Sequence, residues 1–340
     1  MYFSGLIENI ANDNSKYNLF QHIINPFSPI FLCDHYIGKE IVTFYNHKIY
    51  GPDLKLYNSF IESINKNNIL KNNNLYTIQD YDIIYVEVKW FDIFAINILP
   101  KINKKIILIT GQWEWPQVYL SKNTDYILNH PNILLWISQN PIYPDSSKYM
   151  AFPYGIAHYN LEKYAKALLQ YDNSNTEKGK NVVNLPINNS TNPCRNKLPV
   201  LPELDTDEFY KKISDSEFAL SPIGDRDDCY RHYECIGLGT IPISNIGSRY
   251  RAIFGENMYY CDIDKMVNIL DSGTVDCSYT MPNRDLICFD YHKDKIMKRI
   301  SELKQQFGQP ITNFPDQRIW NLGTNPSAKN IGPLFKLRFM

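Results

Sequence analysis

The sequence lacks several features that mark common classes of protein. None of its apolar runs approaches the ~20 residues that span a bilayer, and its first residues, MYFSGLIENIANDN, have no basic segment followed by an apolar core. Lysine plus arginine (35) and aspartate plus glutamate (36) nearly cancel, so the net charge of −1 offers no broad positive field to a nucleic acid. We therefore expect a cytoplasmic or otherwise soluble chain with no N-terminal export signal and no nucleic-acid partner.

Paired cysteines and internal repeats are also missing. The seven cysteines form no C-x-x-C motif and their number is odd, which favours reduced thiols over a disulfide framework. No segment recurs at a fixed period. What the chain does have is length and core-forming residues: 340 residues, of which 44% are hydrophobic and 21% charged, suffice for two globular domains.

The first half alternates short apolar runs with longer segments of helical character, a pattern typical of parallel α/β folds. The spacing predicts a short crossover helix at 90–99, which ends at Pro100. We predict strands at 30–33, 41–45, 83–88, 106–109 and 133–137.

A polar stretch rich in turn-forming residues, 172–197, separates this half from a second α/β region. There we predict strands at 218–220, 241–244 and 258–260, and helices starting at Asp205 and covering 228–236, 248–254, 264–270 and 292–307. The predicted organisation is a lobe over 1–175, a second lobe over 176–310 facing it, and a tail over 311–340 that could cross back to the first lobe.

The segment SEFALSPIGDRDDCYRHYECIGLGTIPIS, residues 216–244, carries the clearest chemical pattern. A strand ends at Ser221, a loop with Gly224 follows, and a helix begins near Asp228, so that N–H groups at the helix start can face an anion. Arg231 and Glu234 are three residues apart and share one helical face. Arginine can neutralise a diphosphate, and a glutamate can accept hydrogen bonds from both hydroxyls of a ribose.

A plainer interpretation of Arg231 and Glu234 is an ordinary i,i+3 ion pair on a solvated helix face. The order of the surrounding elements favours the functional interpretation. A strand, a glycine loop, the Arg-x-x-Glu helix and a Gly-Thr-Ile-Pro turn follow one another without interruption.

This pattern resembles the exostosin-like glycosyltransferases, in particular a group that also carries a Trp-x-x-Gln-Asn segment. The resemblance covers roughly 83–270 and is specific only between Ser216 and Pro242. The matching residues there are Ser216, Phe218, Ser221, Pro222, Gly224, Asp228, Arg231, Glu234, Leu238, Gly239, Ile241 and Pro242. Weaker matches are Ile109-Thr110-Gly111, Trp136 to Asn140, Pro153-Tyr154-Gly155-Ile156, and Thr191, Asn192 and Arg195.

The resemblance implies a GT-B fold, with two Rossmann-like lobes facing a cleft, the nucleotide sugar on the second lobe and the acceptor on the first. It implies an inverting hexosyl- or pentosyltransferase that needs no divalent metal. By this analogy Arg231 and Arg195 hold the diphosphate, Glu234 holds the ribose, and Asp228 caps the helix. Ser221, Gly224 and Thr240 complete the predicted donor site, with a UDP-sugar preferred to a GDP-sugar as the donor.

An inverting transfer needs a base that takes a proton from the acceptor hydroxyl. Three residues fit the expected place, the end of a strand in the first lobe: Asp34 and His35 follow the predicted strand 30–33, and Glu114 follows 106–109. Each also has a plain interpretation, in which Asp34 caps a turn and His35 and Glu114 lie at the surface.

Two alternatives remain open at this stage. The chain could bind glycans through a glycosyltransferase fold without catalysing transfer, since no base stands out in the first lobe. Alternatively, Asp225-Arg226-Asp227 matches the Asp-x-Asp with which GT-A glycosyltransferases hold a divalent metal, and Asp225 and Asp227 would then be its ligands.

Overall fold

The computed structural model of the chain describes residues 2–37, 78–111, 118–171, 178–187 and 192–308. These residues form an α/β protein with nine strands in two parallel sheets. The predicted strand 41–45, the tail 311–340 and the candidate base Glu114 lie outside the described residues.

The first sheet has five parallel strands in the order β1-β2-β3-β4-β5. Every residue of β2, β3 and β4 is buried, as expected for parallel strands that are covered on both faces. The predicted strands 83–88, 106–109 and 133–137 are therefore confirmed within one or two residues. The five strands are β1 (His35–Ile37), β2 (Ile83–Glu87), β3 (Ile106–Gly111), β4 (Ile133–Ser138) and β5 (Tyr149–Ala151).

The predicted strand 30–33 is wrong, because Ser28–Leu32 forms a 3₁₀ helix. Pro29 lies at its start, where a missing N–H costs nothing, and the Ile30 N–H donates to the Phe27 carbonyl at 2.9 Å. A four-residue apolar run is too short for periodicity to separate a strand from a helical turn. As a result, Asp34 and His35 come just before or at the start of a strand rather than after one.

Two helical segments flank the strands of this sheet. The predicted crossover between β2 and β3 is helical but irregular, with 3₁₀ turns at Val88–Trp90 and Leu99–Lys101 around an α turn and a π turn. A regular helix, α3 (Lys122–Asn129), connects β3 to β4 and begins with a capping box formed by Ser121 and Thr124.

The second sheet has four parallel strands in the order β6-β7-β8-β9. The predicted strands 218–220, 241–244 and 258–260 all belong to it, and the predicted helices are present with shifted ends. The strands are β6 (Gly179–Val183), β7 (Ser216–Leu220), β8 (Ile241–Ser244) and β9 (Tyr259–Tyr260). The helices around it are α1 (Tyr2–Asn12), α2 (Lys16–His22), α4 (Leu161–Tyr171), α5 (Thr206–Ser214), α6 (Tyr230–Gly237), α7 (Arg251–Phe254) and α8 (Ile263–Ser272).

The described residues divide into two compact units. One comprises Met1–Pro26 and Pro153–His292 and contains the second sheet, and the other comprises Phe27–Phe152 and Lys293–Met340 and contains the first. The sequence prediction instead assigned 1–175 to one lobe. Hydrogen bonds account for the difference, because Ile24 donates to the Ile287 carbonyl and accepts from the Ile156 N–H, each at 2.8 Å.

The longest helix is α9 (Phe289–Phe307), which matches the predicted helix 292–307. It stops at Gly308, whose φ of +82° favours glycine. Among the residues that the structure describes, no helix is both long and apolar enough to cross a membrane.

Candidate functional site

The site is built on the edge of the second sheet where β7 and β8 end. The loop after β7 begins at Ser221, which is fully buried and donates its N–H to the Ile243 carbonyl at 2.8 Å. Asn245, just after β8, accepts the Ile223 N–H through its side chain at 3.0 Å. In open parallel sheets ligands bind at this carboxyl edge, so the predicted loop is positioned as the sequence pattern required.

Arg195 holds the far side of this loop. Its Nε donates to the Ile223 carbonyl at 2.8 Å and its Nη2 to the Pro222 carbonyl at 3.1 Å. Gly224 makes room for the guanidinium, because a Cβ at that position would lie 2.8 Å from Nη2. Arg195 therefore positions the loop, and its predicted contact with a diphosphate remains a prediction.

The helix after the loop, α6, begins at Tyr230 and has Cys229 rather than Asp228 as its N-cap. The predicted capping role of Asp228 is wrong. Its carboxylate is 3% exposed and accepts hydrogen bonds from the Tyr154 N–H at 3.0 Å and the Tyr233 hydroxyl at 2.5 Å. Asp228 thus fixes the Pro153-Tyr154-Gly155 turn against α6, a contact between segments more than seventy residues apart in sequence.

His232 lies one turn into α6 and is completely buried. Its Nδ1 is 3.4 Å from the Asp228 carboxylate, and its Nε2 is 3.0 Å from the Ser221 carbonyl and 3.4 Å from Cys229 Sγ. Neither Cys229 nor His232 was predicted from the sequence to have a role. Their i,i+3 spacing directly after an aspartate was the available signal.

Arg231 and Glu234 share one side of α6 but do not form the ion pair of the plainer interpretation. Arg231 is partly buried, donates through Nη2 to the Pro186 carbonyl at 2.5 Å, and lies 5.5 Å from the centre of the Phe209 ring. Within the described part of the chain its Nε and Nη1 have no hydrogen-bond partner. Three of its five N–H donors are thus available to a ligand.

Glu234 is 6% exposed, which is unusual for a carboxylate without a salt bridge. The Tyr210 hydroxyl donates to its Oε1 at 3.3 Å. Burial raises the pKa of Glu234 to about 7, although the nearby charge of Arg231 and the Tyr210 hydrogen bond act in the opposite direction. Its carboxylate oxygens can accept further hydrogen bonds from a ligand that carries hydroxyl groups.

The loop residues of the Asp-x-Asp alternative have other contacts. Asp227 forms a salt bridge with Arg249 at 2.5 Å, and the Arg226 guanidinium lies 4.7 Å from the centre of the Tyr154 ring. Tyr154 in turn stacks on Tyr230, with 5.1 Å between ring centres. Among the described residues, no group of three or more histidine, cysteine, aspartate or glutamate side chains is arranged to hold a metal ion.

Thr240 does not belong to this site, so its predicted place there is wrong. It precedes β8 and therefore lies at the amino edge of the sheet, the edge opposite Ser221. Its hydroxyl is buried, lies 2.6 Å from the Ile213 carbonyl and 2.9 Å from the Ser216 carbonyl, and accepts a hydrogen bond from Lys178 at 3.2 Å. These contacts tie the starts of two strands together.

Asp34 and His35 also lie at an amino edge, that of the first sheet. The Asp34 carboxylate accepts the N–H of Ile83, the first residue of β2, at 2.8 Å. His35 Nε2 is 2.9 Å from the carboxylate of Asp82, directly before β2. Both residues were predicted as catalytic bases because a strand was expected to end directly before them, and that strand is not present. The plain interpretation of Asp34 as a capping residue agrees with its hydrogen bond to the start of β2.

The carboxyl edge of the first sheet holds a different set of polar residues. The Trp136 indole donates to the Thr110 hydroxyl at 2.9 Å, and that hydroxyl donates to Ser138 at 3.1 Å, so two segments of the family resemblance meet there. Glu87, the last residue of β2, is paired in register with Gly111 and is 4% exposed. Glu87 was not predicted as a site residue, although an acid at the end of an apolar strand is a usable signal in the sequence.

The structure thus brings Arg195 against the loop that carries Ser221 and Gly224, and it places Arg231 and Glu234 on the helix that follows this loop. It moves Asp34, His35 and Thr240 to the opposite sheet edges. No protein-family model matches the chain, and no curated protein shows significant sequence similarity to it.

Proposed function

We propose that this protein is a metal-independent, inverting glycosyltransferase of the GT-B type. It transfers a sugar from a nucleoside diphosphate sugar, preferably a UDP-sugar, to a glycan or another acceptor with a free hydroxyl. The observation that carries the proposal is that Arg231 and the buried Glu234 lie together on the helix that follows the glycine loop. Within the described part of the chain, Arg231 retains N–H donors that have no hydrogen-bond partner.

Glu234 supports the proposal because its position is unfavourable for the free protein. A carboxylate whose pKa is raised by burial is less stable in its charged form than it would be in water, and such groups concentrate at functional sites. The two hydroxyls of a ribose would supply the donors that the protein does not. We assign Glu234 to the ribose of the donor.

The diphosphate would lie beside Arg231 and the amino end of α6. Backbone N–H groups at a helix start attract anions, and the guanidinium adds charge-assisted hydrogen bonds. Together these groups can stabilise the departing nucleoside diphosphate, which is the role that a metal has in other transferases. Arg195 acts indirectly, because it holds the loop in place through hydrogen bonds to the carbonyls of Pro222 and Ile223.

In the proposed reaction the acceptor oxygen displaces the nucleoside diphosphate at the anomeric carbon while a base takes the hydroxyl proton. That base is a carboxylate at the carboxyl edge of the first sheet. Glu87 is placed there at the end of β2. Glu114, which follows β3 in sequence, stays a prediction because it lies outside the described residues.

Calorimetric titration with UDP, GDP, dTDP and CDP tests the donor site. At least one nucleotide should bind, and Arg231→Ala should weaken its binding by ~1.5 to 3 kcal/mol, the scale of a charged hydrogen bond. The matched control is Lys166→Ala, which removes an exposed cation of the same unit whose one ion pair within the described ranges is with Asp207. Failure of all four nucleotides to bind, or equal losses in both variants, would refute the proposal.

Turnover separates transfer from binding alone. Incubation of the UDP-sugar with candidate saccharides should release UDP, and Glu87→Gln should abolish that release while nucleotide affinity stays unchanged. Saccharide binding with no turnover would instead identify a glycan-binding protein. Loss of activity in a chelator, with recovery only in manganese, would favour a metal site at Asp225 and Asp227.

A further inference from the structure

A row of three tyrosine rings borders the start of α6. Tyr154, in the turn that Asp228 holds, stacks on Tyr230 with 5.1 Å between ring centres, and the Tyr230 hydroxyl donates to the Tyr154 hydroxyl at 3.3 Å. Tyr159 meets the Tyr230 ring nearly at a right angle, with 6.2 Å between ring centres. Because Tyr230 directly precedes Arg231, the row lies beside the helix that carries the proposed donor site.

Exposure to solvent increases along this row. Tyr154 is 2% exposed, Tyr230 is partly buried and Tyr159 is 64% exposed. Of the aromatic side chains that the structure describes, Tyr159 is the most exposed. A single exposed apolar group is common on protein surfaces and needs no function. The neighbours of Tyr159 therefore decide whether its exposure has a meaning.

The Tyr159 ring has no stacked partner within the described residues. Its two ring contacts, with Tyr230 and with His158 at 5.1 Å, are both nearly perpendicular. Its backbone is fixed, because it lies in the 3₁₀ turn His158–Asn160, where the Asn160 N–H donates to the Ala157 carbonyl at 2.9 Å, and this turn leads directly into α4. The turn thus holds an accessible aromatic surface in a defined place.

Tyr159 also lies close to Glu234. The Tyr164 hydroxyl, from the first turn of α4, donates to the Glu234 carbonyl at 3.3 Å, so the start of α4 packs beside this part of α6. Burial raises the pKa of the Tyr159 hydroxyl, and the charges of Tyr230 and Glu234 raise it further. The carboxylate that we assign to the ribose is therefore within electrostatic range of the exposed ring.

The chemistry of a nucleotide defines what should lie next to that carboxylate. In a nucleoside diphosphate the ribose joins the base to the diphosphate, so the base lies on the other side of the sugar from the phosphates. With the ribose hydroxyls on Glu234 and the diphosphate at the start of α6, the base must lie beside Glu234. A base has two flat apolar faces, and aromatic side chains stack on them whatever the base is.

We propose that the heterocyclic base of the donor nucleotide stacks on Tyr159, an inference that rests on the proposed function. Stacking recognises a flat ring and not a pattern of hydrogen-bond donors and acceptors. Tyr159 therefore contributes affinity for nucleotides over plain diphosphates, and other groups select uracil among the bases.

Calorimetric titration of variants tests this role with two probes, UDP and inorganic pyrophosphate, which has no base. GDP, dTDP or CDP replaces UDP if it binds more tightly. Tyr159→Ala should weaken nucleotide binding by roughly tenfold and leave pyrophosphate binding unchanged, whereas Tyr159→Phe should keep the nucleotide affinity within about twofold. Tyr126→Ala is the matched control, since Tyr126 is 41% exposed and likewise meets a histidine ring, His130, nearly at a right angle.

The outcomes separate this inference from the proposed function. Unchanged nucleotide affinity in Tyr159→Ala, or equal losses for nucleotide and pyrophosphate, would overturn the stacking role while the donor site stands. Failure of all four nucleotides to bind the unmodified chain would refute the donor site, and the stacking role with it.

Photocrosslinking of the unmodified full chain locates the base without any substitution. Light breaks the carbon–iodine bond of 5-iodouridine diphosphate and joins its base to an aromatic ring in contact with it. Mass spectrometry should find the adduct on Tyr159, and excess UDP should suppress it. A UDP-sensitive adduct on a different residue, with none on Tyr159, would overturn the inference.

Discussion

The amino and carboxyl edges of the two sheets carry polar residues of opposite character. At the amino edges Asp34, the His35–Asp82 pair and Thr240 are bonded to the first residues of strands or to the carbonyls next to them. At the carboxyl edges Glu87 is buried at a strand end, and Glu234 is buried on the helix that follows one. The first group is bonded to the strand starts, whereas the Glu234 carboxylate has only the Tyr210 hydroxyl as a hydrogen-bond donor among the described residues, and burial raises its pKa to about 7.

The largest effect on this contrast is expected for Glu234→Gln. Burial raises the pKa of the Glu234 carboxyl from 4.5 to about 7 in the folded protein. Between these pH values the unfolded chain therefore binds fewer protons than the folded one, and the free energy of unfolding falls as pH rises. The substitution should therefore stabilise the protein at pH 8 by up to about 3 kcal/mol, with the gain vanishing below about pH 4.5. Urea midpoints at several pH values measure it.

Loss of function should accompany that gain. Nucleotide affinity should fall in Glu234→Gln, and the unmodified protein should bind the nucleotide more tightly as pH rises through 7. Glu208→Gln, which changes an exposed side chain of α5, is the control and should show neither effect. If Glu234→Gln instead destabilises the protein at pH 8, the proposed contrast between the two edges is wrong.

Thr240→Val should show the opposite pattern at the amino edge. It leaves the Ile213 and Ser216 carbonyls and Lys178 without the buried hydroxyl, which should reduce stability by roughly 2 kcal/mol. Nucleotide affinity should not change, because Thr240 lies at the opposite edge from the glycine loop. Thermal denaturation measures the change in stability, and Thr274→Val, at an exposed position, is the matched control. A loss of nucleotide affinity without a loss of stability would show that Thr240 belongs to the donor site.

Gly224→Ala probes the loop through Arg195. The added Cβ would press on Nη2 at 2.8 Å and weaken its bond to the Pro222 carbonyl, so we expect about 1 kcal/mol less nucleotide affinity, or roughly fivefold. Gly247→Ala is the control, since its nearest contact would be Asp227 at 4.0 Å. Equal affinities in the two variants would show that Arg195 does not position the loop.

The smallest effect is expected for His35→Gln. Loss of the contact with Asp82 should lower stability by about 1 kcal/mol or less and leave both nucleotide affinity and transfer unchanged. A pH profile of transfer gives the sharper readout. A tenfold loss of turnover in a folded His35→Gln protein would restore it as a catalytic base.

Local signals predicted much of the fold. The capping pattern at Asp205 is found, with its carboxylate accepting the Glu208 N–H at 2.8 Å, and the apolar runs that became β3 and β4 are long and bounded by polar residues. The loop from Ser221 to Gly224 was predicted because it contains proline and glycine, which favour turns and loops. Such features depend on residues within a few positions of one another.

Non-local features could not be predicted in this way. The sequence places Thr240 close to the Arg-x-x-Glu helix, but α6 carries the chain back across the sheet, so that neighbours in sequence end at opposite edges. The assignment of 153–171 to the unit of the second sheet depends on contacts between distant segments, such as the hydrogen bond from the Tyr164 hydroxyl to the Tyr233 carbonyl. The 3₁₀ turn at Ser28–Leu32 was missed because its residues are as apolar as a strand.

The bonds of Ile24 to Ile156 and Ile287 set an order of events during synthesis. The first twenty-six residues leave the ribosome long before their partners, which are translated more than 130 and 260 positions later. The unit that contains Arg231 and Glu234 can therefore close only when translation has passed residue 287, while the strands of the other sheet are complete by residue 151. Packing of α1 and α2 against α4 can begin once residue 171 is translated, so this unit is completed in two stages.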